Sequence, residues 1–161
     1  HDLKAAEKNL QLYHQLSGRA GRTGKPATVY FQTYNINSNV ISQITNVNPD
    51  IFLEKELILR KKNNLPPFER FISIILSGKS EKKIETFAYK LKDKLEKNLN
   101  AKILGPVIAP IFKINKNFRF RILIRSKKTQ KIQKHLSNIL SNFKNHKEIK
   151  LAVDVDPISF N

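Results

Sequence analysis

Apolar residues at 84, 87, 91, 95 and 99 recur every three or four positions, with Ala88 beside Phe87. That spacing lines one face of an α-helix, and Ser80 stands where a cap belongs. Ile132, Leu136, Ile139, Leu140 and Phe143 repeat the pattern and predict a second helix opening at Thr129. Between them the period changes to two. Phe118, Phe120, Ile122 and Ile124 alternate with Arg119, Arg121, Leu123 and Arg125, which predicts a strand with one apolar face and three arginines on the other. Residues 71–77 are almost continuously apolar and read as a central, buried strand. Residues 149–155 read as a last strand. Residues 102–104 begin another, which Gly105, Pro106 and Pro110 distort or shorten. The order β-α-β-β-α-β predicts a ferredoxin-like α+β domain over residues 68–161, a sheet with both helices on one face.

The first part of the chain reads differently. Leu3, Ala6, Leu10 and Tyr13 predict a helix that Asp2 can cap. Turn residues at 23–26 lead to residues 27–33, rich in β-branched and aromatic side chains and expected to form a strand. A short helix is expected over residues 37–47. Another runs from Pro49 to about Lys62, with Glu54 and Glu56 early and Arg60, Lys61 and Lys62 late, complementing the helix dipole. It reads as an amphipathic connector. Residues 63–67, N-N-L-P-P, stop it and mark a domain boundary.

Composition adds a partner class. The 161 residues carry a net charge of +17 with no cysteine, so disulfides and zinc–thiolate sites are excluded within this sequence. Residues 1–64 hold nine basic and five acidic residues (+4), and residues 65–161 hold 21 and eight (+13). A polyanion is the natural partner of the second part. No apolar run approaches the ~18 residues of a membrane span, and no membrane contact is expected. The histidines at 1, 14, 135 and 146 show no metal-ligand spacing. Asp154 and Asp156 form a weak D-x-D signal for a metal.

The densest chemistry lies in residues 15–22, Q-L-S-G-R-A-G-R. Gly18 and Gly21 each precede an arginine, Arg19 and Arg22. Glycine lets backbone approach a ligand closely, and guanidinium groups match phosphate oxygens. This fits an arginine finger on a nucleotide, or a basic turn that merely ends a helix. The stretch resembles motif VI of the superfamily 2 helicases. Taken with Q-T-Y-N at 32–35, P-P-F at 66–68, L-G-P at 104–106 and D-V-D-P at 154–157, the chain resembles the primosomal protein N′ (PriA) family of replication-restart helicases. The resemblance covers nearly its whole length.

That resemblance implies a division into the end of a second RecA-like lobe (residues 1–35), a helical connector (36–67) and a C-terminal DNA-binding domain (68–161). It implies Gln15, Arg19 and Arg22 as nucleotide-responsive residues, with Gly18 and Gly21 beside the nucleotide. ATP and magnesium are the cofactors implied for the full-length family. Forked and single-stranded DNA, single-strand-binding protein and primosome proteins are its implied partners, and the cytoplasm its implied location. The sequence has no G-x-x-x-x-G-K-[ST] loop and no cysteines for the family's zinc insert, so no cofactor and no turnover are expected of these residues alone.

For DNA, Lys113 and Lys116 precede the arginine-bearing strand, so Lys113, Lys116, Arg119, Arg121 and Arg125 are the expected contacts, made chiefly to phosphates. An alternative has the arginines pair with Asp154 and Asp156 across the sheet. Phe118 and Phe120 read as core rather than as base-stacking platforms. The competing reading of the whole chain is a stand-alone nucleic-acid-binding or ribosome-associated module.

Overall fold

The computed structural model describes residues 4–20, 24, 26–44, 49–143 and 148–158. The elements in order are α1 (Ala5–Arg19), α2 (Asn39–Ser42), α3 (Pro49–Lys62), β1 (Glu69–Gly78), α4 (Glu81–Asn98), β2 (Lys102–Ile114), β3 (Asn117–Lys127), α5 (Gln133–Ser141) and β4 (Ile149–Val155). They divide into two compact units, His1–Leu59 and Arg60–Asn161, so the division falls within the last turn of α3.

In the first unit α1 packs on α2 and buries Leu10. Tyr13 meets the Phe31 ring edge-on at 5.0 Å. The strand expected over residues 27–33 does not form: these residues have no ladder partner among the described residues, and a lone segment cannot complete strand hydrogen bonds. The helix expected over 37–47 is only the four-residue α2, whose N-cap Ser38 accepts from Ile41 N–H. Residues 45–48 and the expected cap Asp2 lie outside the described residues. Along α3, Phe52 is buried while Ile51, Leu53, Leu57, Ile58 and Leu59 are exposed, so its apolar residues are spread around the helix rather than gathered on one face.

The stop after α3 has a definite geometry. Asn64 takes a left-handed φ of 53°, and Leu65 N–H donates to Arg60 C=O at 2.9 Å. This is a Schellman-type ending with asparagine at the left-handed position.

The second unit is a mixed α and β layer around one four-stranded antiparallel sheet, ordered β2-β3-β1-β4. Ile72, Ile74 and Leu76 of β1 and Phe120, Ile122 and Ile124 of β3 pack against the apolar faces of α4 and α5. The period-two and period-3.6 patterns therefore meet in one core. Ser80 caps α4, its hydroxyl accepting from Lys83 N–H. Helix α5 starts later than expected. Thr129 falls in a turn closed by Gln130 N–H to Lys127 C=O at 3.0 Å, so it caps nothing.

Strand β2 is longer than the sequence suggests. Its glycine and prolines do not end it, because register shifts between Leu104 and Val107 and between Ile108 and Lys113 absorb the misfit. Gly105 is needed at the first shift. Its φ is +98°, and a Cβ there would meet Arg121 C=O at 2.8 Å.

A candidate nucleic-acid interface

Strand β3 presents its odd residues away from the helices. Register places Arg125 opposite Phe71, Arg121 opposite Ile75 and Arg119 opposite Ser77, so the three arginines share the face that α4 and α5 leave open. All three are half-buried, and they are not equivalent. Arg125 Nε lies 3.0 Å from Glu69 Oε2. Glu69 is opposite Lys127 and diagonal to Arg125 on that face. Arg121 has an intramolecular partner as well, and its burial lowers the guanidinium pKa from the usual value. Arg119 Nη1 donates to Ile111 C=O at 3.3 Å, a bond to a neutral group that leaves its charge uncompensated.

The expected alternative, pairing of these arginines with Asp154 and Asp156, is not what forms. Asp156 Oδ2 instead lies 3.1 Å from Arg70 Nε, in ion-pair range though not aligned for a hydrogen bond. Asp156 has left the strand with φ of 54°, which turns it toward β1 and away from β3. Asp154 is exposed, and no described ion pair falls on it.

Beyond Arg119 the β2–β3 hairpin turns through Asn115 and Lys116, both at positive φ (48° and 62°). That is the signature of a tight two-residue turn matching strand twist. The turn exposes Lys116 at its tip, and Lys113 is exposed just before it at the end of β2. Lys113 Nζ sits 4.6 Å from the centre of the Phe118 ring. Phe118 in turn packs on Phe112 at 5.3 Å. The ring is committed to the protein, and Phe120 is core; neither offers a free face for a base.

The register gathers more basic residues than the sequence pattern suggested. Ser77 of β1 is opposite Arg119 on one side and Lys150 of β4 on the other, so Arg119 and Lys150 stand about 10 Å apart on one face. A cavity of about 510 Å³ opens at this end, lined by Gly78, Lys79, Lys83, Asn117, Glu148 and Lys150 among others. Lys83 Nζ is paired with Glu148 Oε2 at 2.8 Å. A Cβ on Gly78 would fall 2.6 Å from Glu148 C=O, so β1 and the approach to β4 meet at a glycine. Lys79 and Lys150 were missed in the sequence because only strand register brings positions 79, 119 and 150 together.

The other candidate site is divided by what is described. Gln15 and Arg19 stand four residues apart near the end of α1, on one exposed helix face. Gly18 is exposed, and a Cβ on it would meet nothing within 4 Å. Gly21 and Arg22 lie outside the described residues. Among described residues there is no cluster of three metal-ligating side chains and no helix long and apolar enough to cross a membrane.

Comparison with known proteins separates the two ends. Residues 61–158 match the family described as the Primosomal protein N C-terminal domain. Over 99% of its length the chain is 39% identical to the replication restart protein PriA of Rickettsia conorii, covering 24% of that protein. The protein of that name from Bacillus subtilis is 31% identical over 97% of this chain, which covers 20% of it. The chain thus spans about a quarter or less of the curated relatives it matches. Since the family match takes in the whole sheet with α4 and α5, and the relatives extend the likeness through α1, this chain belongs to the PriA family and corresponds to the C-terminal part of its members.

Proposed function

We propose that this chain supplies the C-terminal DNA-binding domain and the motif VI segment of a replication-restart helicase. In that role the whole enzyme unwinds DNA 3′ to 5′ with ATP at stalled forks and helps reload the replicative helicase, in the cytoplasm. Residues 1–35 are the end of the second RecA-like lobe, 36–67 the connector, and 68–161 the DNA-binding domain. We read the last as ferredoxin-like, from its β-α-β-β-α-β order and its antiparallel β2-β3-β1-β4 sheet.

The observation that carries the DNA-binding reading is the basic hairpin end. Lys113 and Lys116 are exposed at the hairpin end that adjoins Arg119, with Lys113 over the Phe118 ring and Arg119 on the open face. Exposed cations at a hairpin end suit phosphate contacts, which position nucleic acid without reading sequence. Arg121 and Arg125, engaged by their neighbours, contribute field from within the sheet. Gln15, Arg19 and Arg22, flanked by Gly18 and Gly21, would face ATP and its magnesium when the rest of the nucleotide site is supplied, an arginine there stabilising phosphoryl transfer. Single-strand-binding protein and primosome proteins are the partners this role calls for.

The test is binding of the chain to forked DNA, single-stranded DNA and structured RNA across a salt series. Tighter binding to forked DNA, weakening with salt, is the expected result. Equal or tighter binding to RNA would favour the ribosome-associated module, and no binding at physiological salt would defeat both readings.

A further inference from the structure

The two edges of the sheet are built differently. The outer edge of β2 carries Pro106 and Pro110 and two register shifts, devices that spoil a strand as a template for another. The edge of β4 has none. Its seven residues, I-K-L-A-V-D-V, pair with β1 in unbroken register from Ile149 to Val155. Val153 and Val155 remain 43% and 46% exposed, although they follow Ile149 and Leu151 on the side facing the helices.

Hydrogen-bond direction fixes what this edge can accept. Asp156 N–H donates to Phe71 C=O at 2.8 Å. In an antiparallel ladder the direction alternates residue by residue. The backbone groups of Lys150, Ala152 and Asp154 therefore point to β1, and those of Ile149, Leu151, Val153 and Val155 point outward.

The residues along this edge are self-complementary about Ala152. Turned antiparallel onto a second copy, Leu151 faces Val153, Ile149 faces Val155, and Lys150 faces Asp154. The outward-pointing residues then form the hydrogen-bonded pairs. Lys150 and Asp154 fall at the non-hydrogen-bonded positions, where cross-strand side chains come closest. Both are exposed, and no described ion pair engages either one.

We infer that β4 pairs with β4 of a second copy of this chain about a two-fold axis through Ala152, joining two four-stranded sheets into one of eight. The contact is isologous, so each copy supplies one Lys150 and one Asp154 to two symmetric ion pairs. The axis stands perpendicular to the sheet and leaves both arginine-bearing faces on one side. Their β3 strands lie five strand spacings apart, about 24 Å, with the Arg119 side chains of both copies on the same face. A single short edge is small for a permanent interface, so the dimer is weak and forms by mass action.

Sedimentation of the nuclease-treated chain from about 10 µM to about 1 mM spans the range where contacts of this size populate. Weight-average mass should climb toward twice that of the chain. Lys150→Asp or Asp154→Lys alone sets like charges opposite each other at both pairs and should weaken association about tenfold or more. Combining the two reversals should restore it. Val153→Pro removes an outward-pointing donor while sparing the β1 ladder, so it should abolish association with the melting transition retained. A mass that stays at one chain throughout, or association indifferent to both single reversals and to Val153→Pro, would overturn the inference.

Discussion

Replacing Lys113 by Gln, Lys116 by Asn and Arg119 by Gln together should separate DNA binding from folding. The choices follow the local geometry. Lys116 sits at φ of 62°, where asparagine is tolerated and alanine is strained. Gln at 119 keeps a polar side chain of similar stem length but gives up the Arg119 bond to Ile111 C=O. Gln at 113 loses the ammonium over the Phe118 ring, a contact worth about 0.5–1 kcal/mol at an exposed site. The fold should therefore lose only about 1 kcal/mol. If each cation neutralises one phosphate, the slope of log K against log salt should flatten by about 2.7 for duplex and about 2.1 for single-stranded DNA. Fluorescence anisotropy across a salt series reads that slope. Arg125→Gln is the control. Its ion pair with Glu69 has side chains only 25% and 19% exposed, between the surface and buried limits, so its loss should cost about 1–3 kcal/mol in a denaturant melt. The salt slope should stay within about one contact of the parent. A triple variant that binds with unchanged slope, beside an Arg125→Gln protein that loses affinity at full stability, would place the phosphates on the sheet centre and refute the hairpin assignment.

Two stability outcomes rest on the same geometry, and two catalytic ones on the proposed role of residues 15–22. Ile122→Ala, at a fully buried position between sheet and helices, should cost about 2–5 kcal/mol in urea unfolding, whereas Ile108→Ala, 55% exposed on β2, should stay within about 0.5 kcal/mol. Gly105→Ala should lower the melting transition by about 1–3 kcal/mol of stability, because its positive φ and the nearby Arg121 carbonyl leave no room for a methyl. The chain alone should hydrolyse no ATP with or without DNA. In a longer protein containing it, Arg22→Ala should cut hydrolysis by about 10³-fold or more while leaving DNA affinity unchanged, since an arginine finger acts in the transition state.

What the sequence made legible was whatever depended on period. The core faces of α4, α5, β1 and β3 were readable because each buries one stripe of apolar residues against the others. What it obscured depended on partners. Residues 27–33 have strand composition, yet composition does not supply a neighbouring strand. Thr129 has a capping side chain, yet the chain spends it on a turn, and α5 starts at Gln133. Pro106 and Pro110 look like breakers, but β2 is an edge whose outward side needs no donors, so it tolerates them.

The ion pairs turn on the same distinction. Arg125 chooses Glu69 over the more distant Asp154 because antiparallel register puts Glu69 on its diagonal, and nothing within β3 itself foretells that. Once Arg125 is spent there, the three alternating arginines cease to be one site. The uncompensated charge shifts toward Arg119, and across Ser77 it meets Lys150. A candidate site first read along one strand is thus better read across three, at the end of the sheet where β1 hands the chain to Lys79 and α4. The face that would meet a polyanion is an outcome of strand order, and a sequence motif captures only the part of it that happens to be contiguous.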